Sequence, residues 1–260
     1  MIANYHTHTS RCKHANGLDE EYIKKAIAEG VKILGFADHA PYIYPNGYTS
    51  YYKMKPDVAG EYFSSLDSLK KKYEGKIEIH IGYEAEYYPE IWDETFDFWK
   101  NANTPEYLIL GQHYVTEEYA KCAVHSATGT DKPEMLTRYV DLVCEAVGKR
   151  CFSCIAHPDV IRFRGNLDLY RAEMERLIQT ACGYDIPLEI NLLGVSEGRH
   201  YPNDEFWRMA SKYSPKVILG CDAHSPARVA VKEEMDAALR FADKHKLNVV
   251  DKIELINPFK

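Results

Sequence analysis

The chain has 260 residues, of which 45% are hydrophobic and 27% are charged, a composition typical of a globular protein with a substantial core. Its 39 acidic residues outnumber its 32 basic ones, so the formal net charge is −7. Nucleic-acid-binding proteins usually concentrate lysine and arginine, and no basic run occurs here. The charge therefore argues against nucleic acid as a partner.

The cysteine pattern and the distribution of apolar residues indicate where the protein works. Seven cysteines, an odd number, are scattered over a chain long enough to fold without stabilising disulfide bonds. No signal peptide is evident, and no apolar run approaches the ~18–20 residues of a membrane span. We therefore expect a cytoplasmic protein with no membrane partner.

Short apolar runs alternate with amphipathic segments along the whole chain. We predict strands at 2–5, 33–37, 77–83, 107–111, 152–156, 188–192 and 217–220. We predict helices at 18–27, 56–73, 131–149, 168–182, 203–213 and 226–245. This alternation is typical of a parallel sheet covered by helices, either closed into a barrel or doubly wound. Since no linker-like change of composition interrupts it, one domain is expected.

Histidines and carboxylates follow six of the seven predicted strands. They are His6, His8 and His14 after the first strand, His39 after the second, Glu84 after the third, His113 after the fourth, His157 after the fifth, and Asp222 and His224 after the seventh. In a parallel α/β fold the carboxyl ends of all strands share one face, where active sites are built. These side chains are therefore expected to converge.

The first two histidines have the spacing of metal ligands carried on a strand. Residues two apart on a strand point the same way, so His6 and His8 can face one ion. Imidazole is the commonest nitrogen ligand for zinc, iron and manganese. Carboxylates such as Glu84 and Asp222 add charge and can bridge two ions. The sequence thus predicts a metal centre on the rim of the sheet.

Six short motifs at the strand ends carry a resemblance to a known family. They are His6-Thr7-His8, Ala37-Asp38-His39, Gly82-Tyr83-Glu84, Gln112-His113, Ala156-His157-Pro158 and Gly220-Cys221-Asp222-Ala223-His224-Ser225. In this order they resemble the polymerase-and-histidinol-phosphatase (PHP) superfamily. Within it, the stretches 37–41, 82–87 and 188–191 and the chain length look most like the monofunctional histidinol-phosphate phosphatases. The resemblance implies a distorted, TIM-like (β/α)7 barrel, with residues 1–260 as a single metal-dependent phosphatase domain.

The resemblance also implies three divalent metal ions, of zinc, iron or manganese. In this arrangement the first ion is held by His6, His8, Glu84 and Asp222. Glu84 bridges to the second ion, which His113 and His157 complete. The third ion is held by His14, His39 and His224. All nine positions carry a residue of the expected type.

The activity implied is hydrolysis of L-histidinol phosphate to L-histidinol and phosphate, in histidine biosynthesis, by a metal-activated hydroxide. Arg162 and Arg199 follow predicted strands and are expected to bind the phosphate, because the guanidinium group grips phosphate through two hydrogen bonds. Asp38 and His200 are candidates for the general acid that protonates the leaving group. For Asp38 we favour a different role, that of orienting a ligand histidine.

Three other functions remain open at this stage. One is a PHP phosphoesterase that acts on nucleotides or on another small phosphomonoester. Another is an amidohydrolase, which typically has a lysine after the fourth strand, where this chain has Gln112-His113. The last is a non-catalytic, metal-stabilised interaction domain, although such modules lose ligands. Phosphate release with and without a chelator distinguishes these functions.

Overall fold

The computed structural model describes residues 1–102 and 104–260. Eight parallel strands form one curled sheet in which neighbours in sequence are neighbours in space. They are β1 (Ala3–Asn4), β2 (Ile33–His39), β3 (Glu78–Ala85), β4 (Tyr107–Leu110), β5 (Cys154–Ile155), β6 (Leu188–Asn191), β7 (Lys216–Gly220) and β8 (Asn248–Val249). Each of the first seven overlaps one of the predicted strands, so the predicted parallel α/β architecture is confirmed.

The first and seventh strands meet at the carboxyl-terminal rim and close the barrel there. Thr7, just after β1, forms an isolated parallel bridge with Ala223, just after β7. The amide of His8 donates to the carbonyl of Ala223 at 3.0 Å. Within the described ranges, the unpredicted β8 pairs only with the amino-terminal half of β7, at Lys216 and Val217. Seven strands therefore surround the rim, as expected for the distorted (β/α)7 barrel.

Helices cover the outside of the sheet and provide the crossovers that sequential parallel strands require. They are α1 (Asp19–Ala28), α2 (Ala59–Lys72), α3 (Trp92–Ala102), α4 (Pro133–Gly148), α5 (Leu167–Gly183), α6 (Leu192–Ser196), α7 (Asp204–Ala210) and α8 (Lys232–Lys244). Helix α3 was not predicted; it is anchored by the buried Trp92, Thr95 and Trp99. None of the helices in the described ranges combines the length and the apolar character that a membrane span requires.

The amino-terminal end of the barrel is filled with side chains, which leaves the carboxyl-terminal rim for chemistry. Tyr5, Tyr107 and Ile218 belong to a buried cluster inside the sheet, and the Tyr107 hydroxyl donates to the Tyr5 carbonyl at 2.7 Å. Gly82 makes room for this ring, because a Cβ there would lie 2.6 Å from the ring carbons Cδ1 and Cε1 of Tyr107. Ile253, in the C-terminal segment, packs against the same cluster.

Candidate metal centre

The side chains that the sequence places after the strands come together at the rim. They are His6, His8, His14, His39, Glu84, His113, His157, Asp222 and His224. Each strand delivers its residue to the same edge because all strands run parallel. The structure thus brings all nine predicted ligands into one cluster.

Four of these side chains converge on one point beneath the rim. Nε2 of His6 lies 3.1 Å from Nε2 of His8 and 3.5 Å from Oδ1 of Asp222. Nε2 of His8 lies 3.0 Å from the same Asp222 oxygen. Oε1 of Glu84 is 3.6 Å from Nε2 of His6. These four side chains are buried, and His6, His8 and Asp222 have ligand atoms close enough together to hold one cation.

Glu84 stands between this group and two further histidines. Its Oε1 lies 3.0 Å from Nε2 of His157 and 3.4 Å from Nε2 of His113. Its Oε2 lies 3.0 Å from Nδ1 of His39. Gly111 leaves space for the carboxylate, since a Cβ at that position would be 2.0 Å from Oε1. A single carboxylate therefore reaches ligands on both sides, as a bridge between two ions requires.

The remaining histidine rings form the outer part of the cluster. Nε2 of His14 lies 2.9 Å from Nε2 of His224. The ring of His39 is 5.1 Å from that of His14 and 6.1 Å from that of His224, measured between centroids. The ring nitrogens of His39 and His224 also fall within reach of one ion together with His8. His8 thus lies between the first and third ligand groups.

The protonation of these outer rings suits metal binding. Burial lowers the pKa of His14, and it lowers that of His39 well below the ordinary value. Burial, together with the neighbouring His8, lowers the pKa of His224 to about 3. All three rings are therefore neutral near pH 7, and the neutral imidazole is the form that binds metals.

Two observations show that the cluster fits divalent cations. The pairs His6–His8 and His14–His224 each turn two Nε2 atoms toward one another, and a cation between them would use both lone pairs. Among the described residues, Oε2 of Glu84 lies close to Nδ1 of His39 but forms no well-aligned hydrogen bond, and Nδ1 of His157 is buried without a hydrogen-bond partner. Imidazoles with carboxylates are the donor set of zinc, iron and manganese. The cluster can therefore hold divalent metal ions.

Carboxylates behind the cluster orient three of the rings. The pairs are His6 Nδ1 with Glu189 Oε2 at 2.9 Å, His8 Nδ1 with Asp38 Oδ1 at 3.4 Å, and His113 Nδ1 with Glu86 Oε1 at 3.3 Å. Each contact leaves Nε2 of the ring free to face the centre of the cluster. Glu189 and Glu86 are not among the functional residues predicted from the sequence. Two sequence features could have identified them: Glu189 is a glutamate within an apolar strand, and Glu86 is a second glutamate two residues after Glu84.

Glu86 is itself held by a buried lysine. Nζ of Lys53 lies 2.8 Å from Oε1 of Glu86 and also bonds Glu118 and the hydroxyl of Tyr88, at 3.1 Å. All four side chains are buried. Burial opposes ionisation of Glu86, but the Lys53 ammonium and His113 hold its pKa at about 2. This network ties the loops after β2 and β4 to the ring of His113.

The four residues predicted to act on the substrate have different surroundings. Asp38 is buried, accepts hydrogen bonds from the Thr9 hydroxyl and the His39 amide, and lies behind His8. Nε2 of His200 donates to the carbonyl of Val160 at 2.7 Å. Neither Asp38 nor His200 lines the cavity described next, and the same holds for the exposed Arg162.

An open cavity of about 620 Å³ lies over the cluster. His113, His157 and Asp222 form part of its wall, as does Arg199. The guanidinium of Arg199 donates from Nε to Oε2 of Glu197 at 2.8 Å and from Nη1 to the hydroxyl of Tyr201 at 2.6 Å. Of the two predicted phosphate-binding arginines, the structure brings Arg199 to the cavity.

Comparison with known proteins places the chain in a family. The PHP domain model matches residues 4–192, and the chain belongs to the PHP domain family. Two relatives named "Probable histidinol-phosphatase" match nearly the whole chain. The protein from Deinococcus radiodurans is 28% identical over 92% of this chain and 95% of its own length, and that from Schizosaccharomyces pombe is 24% identical over 94% and 87%. The predicted resemblance is confirmed.

A solved structure shares the fold. It is the histidinol phosphate phosphatase from Lactococcus lactis, complexed with zinc, L-histidinol and phosphate. It superposes with a TM-score of 0.72 over 97% of this chain and 98% of its own, at 18% sequence identity. This likeness confirms the distorted TIM-like barrel.

Proposed function

We propose that the protein is a metal-dependent phosphomonoesterase that hydrolyses L-histidinol phosphate to L-histidinol and phosphate. The observation that carries this proposal is the cluster of seven imidazoles and two carboxylates beneath one open cavity. The names of the two long-matching relatives, and the ligands of the Lactococcus lactis structure, support the choice of substrate. We further propose that residues 1–260 form a single PHP phosphatase domain, since one sheet runs from Ala3 to Val249.

We propose three divalent ions, of zinc, iron or manganese, for the cluster. The first would lie among His6, His8, Glu84 and Asp222, and the second among Glu84, His113 and His157. The third would lie among His14, His39 and His224. When bound, divalent ions lower the pKa of water toward ~7 and neutralise charge on the phosphoryl oxygens.

The chain's own residues then bind and orient the substrate. Arg199 would hold the phosphoryl group with its planar fork, while Tyr201 keeps the guanidinium in the cavity wall. The phosphate group would replace the carboxylate of Glu197 as the partner of the Arg199 guanidinium. The side chain of Glu197 is half exposed. Asp38 positions the ring of His8, because it is buried and faces Nδ1. The general-acid role of His200 and the phosphate contact of Arg162 stay predictions.

The proposal is tested by phosphate release from L-histidinol phosphate and from a panel that includes nucleotides and simple sugar phosphates, with and without a chelator. We expect the largest kcat/KM for L-histidinol phosphate, loss of turnover in the chelator, and recovery when a divalent metal is added back. A higher kcat/KM for a nucleotide would show that the protein is a PHP phosphoesterase whose substrate is not L-histidinol phosphate. Turnover that persists after complete metal removal would contradict the metal-dependent mechanism.

A further inference from the structure

His125 lies in the cavity wall, and none of the roles derived above uses it. The loop after β4 turns back on itself as a short hairpin, in which Tyr114 and His125 form an antiparallel bridge. The amide of Val115 donates to the carbonyl of Val124 at 2.8 Å, and the amide of Ser126 donates to the carbonyl of His113 at 2.7 Å. His125 is therefore held by backbone hydrogen bonds beside His113.

One ring nitrogen of His125 has a partner that settles its tautomer. Nδ1 accepts a hydrogen bond from the amide of Ala127 at 3.1 Å and so caps the 3-10 turn Ser126–Thr128. A backbone N–H can only donate, so Nδ1 carries no proton and the hydrogen of the neutral ring is on Nε2. Nε2 makes no hydrogen bond to another residue of the described ranges. The cavity wall thus contains an N–H donor without a protein acceptor.

The surroundings keep this ring neutral. A ring whose Nδ1 accepts a hydrogen bond has its single proton on Nε2 and is neutral. The ring packs edge-on against Tyr114, with 5.1 Å between centroids, and its centroid lies 6.0 Å from that of His113. His125 can accordingly donate a hydrogen bond near pH 7 without bringing a charge into the cavity.

We propose that Nε2–H of His125 donates a hydrogen bond to a phosphoryl oxygen of the bound phosphomonoester. The inference rests on the proposed function. A phosphate ester offers several charged acceptor oxygens, which bind a donor more strongly than the single neutral acceptor nitrogen of the histidinol imidazole, and the ammonium group can only donate. The position of His125 next to His113, one of the ligands proposed for the second ion, puts the donor beside the place where the phosphoryl group must bind. His125 is then a substrate-binding residue in addition to Arg199.

Two substitutions separate the donor of His125 from its capping role. In His125→Asn, Oδ1 takes the place of Nδ1 and can still accept from the Ala127 amide, but no N–H reaches the position of Nε2. In His125→Gln, the side-chain amide nitrogen reaches about as far as Nε2 and keeps a donor there, while the short-range cap is lost. His245→Asn, a change of the same chemistry at the residue that follows α8, is the matched control.

We expect His125→Asn to lower kcat/KM about 10- to 100-fold for every phosphomonoester, the loss of one hydrogen bond to a charged group. Competitive inhibition by inorganic phosphate should weaken by a similar factor, with melting temperature and metal content unchanged. His125→Gln should recover part of both losses, and His245→Asn should match the wild type.

Three results would overturn the inference. Retention of kcat/KM and of phosphate inhibition within twofold in His125→Asn would show that the ring does not bind substrate. A loss confined to L-histidinol phosphate, with phosphate inhibition unchanged, would assign the donor to the alcohol. If activity in both variants falls only in proportion to the amount of bound metal, the role of His125 is structural. If the wild type hydrolyses no phosphomonoester, the proposed function fails, and calorimetric binding of inorganic phosphate to the metal-loaded variants still tests His125.

Discussion

Nδ1 of His6 lies 2.9 Å from Oε2 of Glu189, and both side chains are buried. The other oxygen of Glu189 accepts from Nδ2 of Asn191 at 2.8 Å, and the same amide nitrogen donates to Oδ2 of Asp222 at 3.1 Å. One strand, β6, therefore orients two residues proposed to hold the first ion. Gly220 permits this, since a Cβ there would lie 2.0 Å from Oε2 of Glu189.

This relationship predicts that Glu189→Gln weakens metal binding. The amide can present its NH₂ group to Nδ1 of His6, and that would favour the wrong tautomer of the ring. A residue that orients a ligand in this way typically contributes about 10- to 100-fold in metal affinity. Competition with a chromophoric chelator measures the change. Glu145→Gln, an exposed glutamate on α4, is the control. Wild-type affinity in Glu189→Gln would mean that Glu189 does not orient the ligand.

Glu84→Gln should nearly abolish phosphate release while the barrel stays folded. A carboxylate can bind two cations with its two oxygens, whereas an amide has no charge and only one good ligand oxygen. The contacts of Glu84 with His157, His113 and His39 make it the most connected acid in the cluster. Circular dichroism reports folding, metal analysis reports occupancy, and a phosphate assay reports turnover. Near-normal activity in this variant would exclude Glu84 as the bridge.

Arg199→Ala should lower kcat/KM for every phosphomonoester by an amount equivalent to about 3–4 kcal/mol of transition-state stabilisation, the sum of two charge-assisted hydrogen bonds at about 1.5–2 kcal/mol each. This corresponds to a roughly 150- to 1000-fold loss. Arg199→Lys should recover only part of it, because an ammonium group cannot reproduce the planar fork. Metal content should not change. Arg208→Ala, which removes an exposed arginine paired with Glu205 on α7, is the control. Activity within about twofold of wild type would show that Arg199 binds Glu197 rather than substrate.

The pair His80–Glu106 predicts a pH dependence of stability that is independent of the metal centre. Nδ1 of His80 lies 2.9 Å from Oε2 of Glu106. Burial works against the charged ring, but the bonds to Glu106 and Glu78 prevail and raise the pKa of His80 above 6.5. The folded protein therefore binds the proton more tightly than the unfolded chain. This contribution to stability is complete below pH 6.5 and is lost as the pH rises through the raised pKa.

We expect the free energy of unfolding of the wild type, relative to His80→Gln, to decrease as the pH rises above about 6.5. Urea unfolding of both proteins between pH 5.5 and 9 measures the difference. A difference that stays constant over this range would show that the histidine has the same pKa in the folded and unfolded states.

Much of the architecture and of the metal cluster could be predicted from sequence alone. Apolar runs of strand length alternate with amphipathic helices, and ligand-type residues lie at or just after the carboxyl ends of the strands, at His6, His39, Glu84, His113 and His157. Parallel strands have to place their carboxyl ends on one edge, so local pattern was enough to predict convergence. Helix α3 was missed because its aromatic and β-branched residues have modest helix propensity, and burial against the sheet stabilises the helix.

Only the tertiary structure decided which residue contacts and orients each proposed metal ligand. His6 and Glu189 are 183 residues apart in sequence, and no periodicity connects them. The tautomer of His125 likewise depends on a folded turn. His200 does not line the cavity, and its ring is hydrogen-bonded to the Val160 carbonyl instead. Such contacts are determined by how loops from different strands pack over the rim. A local pattern can indicate which residues bind metal, whereas their orientation and protonation require neighbours that only the fold supplies.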